Sequence, residues 1–96
     1  MDNYLVTLEQ HGEADMEDTR FTIRGRLHGT KQAQPAKMGL TAAELGEYLP
    51  VLGIPFSKQH AVFRELAQTK HFSFTARLSI ETAAELGCGQ AMDRYF

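Results

Sequence analysis

A single cysteine, Cys88, stands among the 96 residues. With no second thiol an internal disulfide is excluded, and such a chain suits a reducing cytoplasm. No run of about 18 apolar residues exists, so no membrane span is expected. The opening MDNYLVTLEQ has neither the basic start nor the apolar stretch of a signal peptide, and none is expected. GxGxxG, Gly-rich phosphate loops and a Walker lysine are all missing, which leaves the common nucleotide sites without a signature. The four histidines fall at 11, 28, 60 and 71, and no pair of them, with or without Cys88, has ligand-like spacing. Neither a metal nor another cofactor is therefore expected. A formal charge of −2 argues against indiscriminate binding to nucleic acid.

What remains is ordinary for a globular domain: 43% apolar and 23% charged residues. Residues 1–96 are read as one domain, burying roughly 60–70% of the surface exposed by the unfolded chain. The small net charge conceals a sharp division. Glu9, Glu13, Asp15, Glu17 and Asp18 occur with no Lys or Arg among them, and Arg20, Arg24, Arg26, Lys31 and Lys37 follow with no acid among them. Without that acidic segment, ten basic residues face seven acids, a remainder of +3. Neighbouring blocks of opposite sign either screen each other in solvent or form a dipolar surface that orients a charged partner.

Hydrophobic patterning supplies the elements. Residues 19–28, TRFTIRGRLH, alternate Phe21, Ile23 and Leu27 against Arg20, Arg24, Arg26 and His28. A period of two marks a half-buried strand with an apolar and a cationic side. Residues 3–9 form an earlier strand, with Tyr4, Val6 and Leu8 on one side and Leu5, Thr7 and Glu9 on the other. Residues 71–80 repeat the pattern, Phe72, Phe74, Ala76, Leu78 and Ile80 alternating with His71, Ser73, Thr75, Arg77 and Ser79. Residues 10–18 are too polar to pack and read as an exposed connection. Residues 29–39, with two glycines, Pro35 and no period, read as a loop.

Helix grammar starts at Thr41-Ala42-Ala43-Glu44, a capping box with Leu40 and Leu45 at the staple positions. Pro50 ends that helix near Leu49. Ser57 is a plausible cap for a second helix over 58–69, whose Val62, Phe63, Leu66 and Ala67 share one face. A short helix over 82–86 follows the last strand. TAAELG occurs at both 41–46 and 82–87; Thr-x-x-Glu is common helix-start grammar, and the recurrence reads as coincidence. The expectation is an α+β two-layer sandwich of order ββααβα, a three-stranded antiparallel sheet with helices on its phenylalanine side. Neither sheet edge is visibly guarded in the sequence, so a homodimer through an edge strand is open.

Three function classes follow. Cys88 between two glycines, with His60 or His71 as base, is the arrangement available to an enzyme. It has no local signature, and a lone cysteine commonly serves as a small buried hydrophobe, so the chain is read as non-enzymatic. Residues 40–69 followed by a strand allow a winged-helix-like nucleic-acid regulator with Lys58, Gln59, His60 and Arg64 on the reading helix. The long connection and Glu44, Glu47 and Glu65 count against it, and the phenylalanines alternate away from the arginines, unsuited to stacking bases. The favoured class is a small adaptor or inhibitor acting on a protein partner. Its expected contacts are Arg20, Arg24, Arg26, His28, His71 and Arg77, with Glu13, Asp15, Glu17 and Asp18 as an acidic counterpart.

Overall fold

The computed structural model describes residues 2–27 and 34–86. His28 and Cys88, and with them the thiol alternative, lie outside the described residues. The two N-terminal alternations form β1 (Asp2–His11) and β2 (Arg20–Leu27), an antiparallel pair whose register places Leu8 opposite Ile23 and Val6 opposite Gly25. β4 (His71–Leu78) joins the other side of β1, with Phe72 opposite Leu8 and Phe74 opposite Val6. Leu8 and Val6 thus sit between two strands, fully buried.

A fourth strand, β3 (Gln34–Leu40), corrects the reading of residues 29–39 as loop. It pairs with the outer side of β2, giving the order β3-β2-β1-β4. Phe21 pairs with Leu40 and Ile23 with Lys37, then Arg24 with Pro35, so the ladder slips twice. Those irregularities remove the period of two from the sequence. The expected three-stranded sheet is therefore four-stranded, though still antiparallel and α+β. Whether the third alternation joins the first or the second is not readable from the sequence; in the structure β1 stands between β2 and β4.

Among the described residues three helices cover one face. α1 (Ala42–Tyr48) begins at the expected capping box: the Glu44 N–H donates to the Thr41 hydroxyl at 3.2 Å and the Thr41 N–H to Glu44 Oε1 at 2.8 Å. Leu40 and Leu45 flank the cap in the core. α1 lies over β2 and β3, and α2 (Gln59–Thr69) over β1 and β4. Val62 and Leu66 are buried, and Phe63 meets Phe21 edge-on with centroids 5.8 Å apart. Ser57 does not cap α2. It lies in a 3-10 turn, Phe56–Lys58, that starts after Pro55, and Lys58 precedes α2 with no side-chain cap bond. α2 stops at Lys70, whose left-handed φ of 71° closes its N–H onto the Leu66 carbonyl.

α3 (Ile80–Leu86) starts earlier than 82, because Ser79 accepts from the Thr82 N–H at 3.1 Å. The two TAAEL copies therefore play different parts: Thr41 is a cap, whereas Thr82 is inside a helix.

Candidate functional site

The helices occupy the side bearing Phe21, Ile23, Phe72 and Phe74. On the opposite face, the registers of β2, β1 and β4 generate short rows of side chains. Thr22, Glu9 and His71 form one row; Arg24, Thr7 and Ser73 the next; Arg26, Leu5 and Thr75 the third; Asn3 and Arg77 close the series. No described element covers this face. The cationic alternations of β2 and β4 share one flank, separated by β1, so the two strands run about 10 Å apart across the sheet.

β1 brings in side chains whose neighbours could not be named from the alternation of β2 and β4 alone. Glu9 Oε2 accepts from Arg24 Nε at 3.0 Å, and its other oxygen lies 3.7 Å from His11 Nε2. His11 in turn contacts the Thr22 hydroxyl at 2.9 Å, which satisfies a threonine buried on the otherwise open face. Thr7 and Ser73 hydroxyls meet at 2.9 Å across β1 and β4. Leu5, an apolar residue on the wet side of β1, is half-buried between Arg26 and Thr75. Arg77 is exposed, and among the described residues it has no partner.

Arg20 leaves the row. Its guanidinium donates to the Glu17 and Thr19 carbonyls, each at 2.9 Å, and so turns toward the β1–β2 connection. The Glu44 carboxyl is held below its ordinary value, first by the Thr41 backbone N–H, then by the Thr41 side chain, with Arg20 adding a smaller attraction.

The acidic connection is exposed but tied down. Its start differs from expectation: Gln10 and His11 belong to β1, and Gln10 is buried with Nε2 donating to the Gly12 carbonyl at 3.0 Å. Gly12 takes φ +115°, and a Cβ there would stand 2.8 Å from Thr19 Oγ1, so this corner admits only glycine. The Thr19 hydroxyl donates to the Glu13 carbonyl. Lys70 Nζ donates to the Gly12 carbonyl at 2.8 Å and reaches Glu13 at 3.5 Å. Asp15, Glu17 and Asp18 form no ion pair among the described residues. They sit at the Arg20 end of the sheet, whereas Arg26 and Arg77 lie toward the opposite end, about 20 Å along the strands. That exceeds the screening length of physiological salt.

No family model, curated protein or solved structure matches the chain.

Two of the clefts among the described residues accompany the open face. One, of about 620 Å³, lies between the acidic connection, the start of α1 and α2, and mixes Asp15 and Glu17 with Arg20, His60 and Arg64. Its mixed charge selects no ligand class. The other, of about 590 Å³, lies beside β4 between Ile54, Pro55, Val62, Phe72 and Phe74. Among the described residues no group of His, Cys, Asp or Glu could hold a metal ion.

Proposed function

We propose that this chain is a non-enzymatic binding module of adaptor or inhibitor type, which grips an acidic protein surface through the open face of its sheet. One observation carries the reading: Leu5 is half-buried in the middle of that face, ringed by Arg24, Arg26, Arg77 and the hydroxyls of Thr7, Ser73 and Thr75. An apolar centre with arginine around it is the anatomy of a protein interface, because the planar guanidinium bonds carboxylates in pairs and tolerates desolvation. On the open face, from which Arg20 turns away and to which Asp2 does not alternate, the guanidiniums of Arg24, Arg26 and Arg77 oppose the carboxylate of Glu9, which favours an acidic partner. The acidic connection at the far end supplies the opposite pole and orients that partner during encounter.

Phe21, Phe72 and Phe74 stand on the helix-covered side, leaving no phenylalanine or tyrosine of these strands to stack bases. This weighs for a protein over single-stranded nucleic acid. The test is affinity capture from native lysate with the wild type and with Arg24→Glu/Arg26→Glu. The reading expects the double reversal to lose the captured partner. Undiminished capture of the same partner contradicts it, and salt-sensitive retardation of DNA or RNA would transfer the face to nucleic acid.

A further inference from the structure

We propose that the outer edge of β4 is a docking site for an extended segment of the partner protein, one that alternates apolar and acidic side chains and joins the sheet as a fifth strand. This rests on reading the chain as a protein-binding module, and it names the edge used and the chemistry of the segment.

The backbone decides which groups are available. The Gln10 N–H donates to the Lys70 carbonyl at 2.8 Å, at the foot of the β1–β4 ladder. In an antiparallel pair the bonded residues recur every second position, so Phe72, Phe74, Ala76 and Leu78 direct their amides and carbonyls to β1. His71, Ser73, Thr75 and Arg77 then direct theirs outward. The Thr69 hydroxyl agrees with this, since it reaches the His71 carbonyl from outside at 2.7 Å. Among the described residues no strand pairs with this edge. The register to β1 runs unbroken for eight residues, and β4 contains neither proline nor glycine. Such a regular edge is a template for another strand.

Side chains define what would fit. On the helix side, where α3 contacts β4, Ala76 and Leu78 are buried, while Phe72 and Phe74 remain half-buried with rings 5.7 Å apart. They form one wall of the 590 Å³ cleft, facing Ile54, Pro55, Ala61 and Val62; no residue of β1 lines it, so it opens along the outer strand. An added strand would lower every second side chain into this cleft. Its intervening side chains would lie beside His71, Ser73, Thr75 and Arg77, where β4 contributes the Arg77 guanidinium and no carboxylate. Lys58 adds a cation at the cleft; the nearby Glu65 carboxylate lies 3.5 Å from the Thr69 hydroxyl. Acidic residues are therefore the complement.

A second copy fits less well. Pairing β4 with itself about Ser73, Phe74 or Thr75 sets Arg77 opposite Thr69, His71 or Ser73 respectively, never opposite an acid.

The experiment uses the full chain and a synthetic peptide matching β4 in length, with alternating Glu and Val, followed by fluorescence anisotropy and amide chemical shifts. The proposal expects binding, with the largest shifts at Ser73, Thr75 and Arg77. Thr75→Pro, which deletes one outward N–H, should weaken binding about tenfold or more. Arg77→Glu should reverse the preference toward a Lys-Val peptide. Should Thr75→Pro fail to fold, the Glu-Val peptide N-methylated at alternate residues performs the same deletion from the other side. No binding, equal binding to Thr75→Pro, or equal binding of both N-methylated registers overturns the proposal. So does a concentration-dependent dimer that Thr75→Pro abolishes, which would assign the edge to a second copy. In the lysate capture, loss with Arg24→Glu/Arg26→Glu but not with Thr75→Pro would remove the edge and leave the open face; loss with neither would remove both.

Discussion

The two margins of this sheet are built on opposite plans. β3 contains Pro35, Lys37 and a glycine at φ +69°, and its ladder to β2 slips twice. Proline lacks a donor, lysine resists dehydration, and a bulge twists the strand away from a would-be neighbour; each is a known way of blunting an edge. β4 has none of these and keeps eight consecutive partners on β1. Both margins belong to one small sheet with one covered face. The difference teaches that edge protection here is local to β3, and that β4 keeps the geometry a further strand needs.

The largest test of that contrast compares two adjacent prolines. Ala76→Pro removes an amide directed at β1 within the core and should cost on the order of 3 kcal/mol, leaving a largely unfolded chain in thermal melts. Thr75→Pro removes an amide directed outward and should cost about 1 kcal/mol or less. Equal losses would mean that the inward and outward positions of β4 are not distinct.

A smaller effect is expected on the guarded side. No atom lies within 4 Å of a Cβ added at Gly39, so Gly39→Ala meets only the conformational penalty of its positive φ. Denaturant unfolding should report a loss of about 1 kcal/mol. No loss would mean that β3 adopts a regular strand as readily as a bulged one.

The mildest effect concerns pH. α1 lies over β2 and β3, and its Glu44 carboxyl is held below the ordinary value of 4.5. A lowered folded value contributes stability that is present above 4.5 and lost as pH falls through the folded value. The melting difference between wild type and Glu44→Gln should accordingly be constant above pH 5 and shrink on further acidification. A difference that grows in acid would reverse the assignment.

How much of this could be read from residues alone follows from the same contrast. β1, β2 and β4 alternate faithfully because one face is buried, and a period of two survives in the letters. β3 was illegible because bulges break its period and Leu40 alone anchors it among the described core residues. The cationic face was legible as two strands, but not the strand between them, since order in a sheet depends on contacts distant in sequence. Glu9 alternated correctly with Leu5 and Thr7, yet its bond to Arg24 became visible only once β1 lay beside β2. Arg20 obeyed the alternation and still left the face, drawn by two carbonyls of the neighbouring turn. Thr41 capped as its spacing predicts, whereas Ser57 did not, because the turn after Pro55 is 3-10 before it is α.

Amide hydrogen exchange read residue by residue along β4 in the free chain addresses the central claim most directly. Slow exchange at Phe72, Phe74 and Ala76, alternating with fast exchange at Ser73, Thr75 and Arg77, is the predicted result. Uniform protection from His71 to Leu78 would contradict it, since the margin offered to a partner would already be occupied.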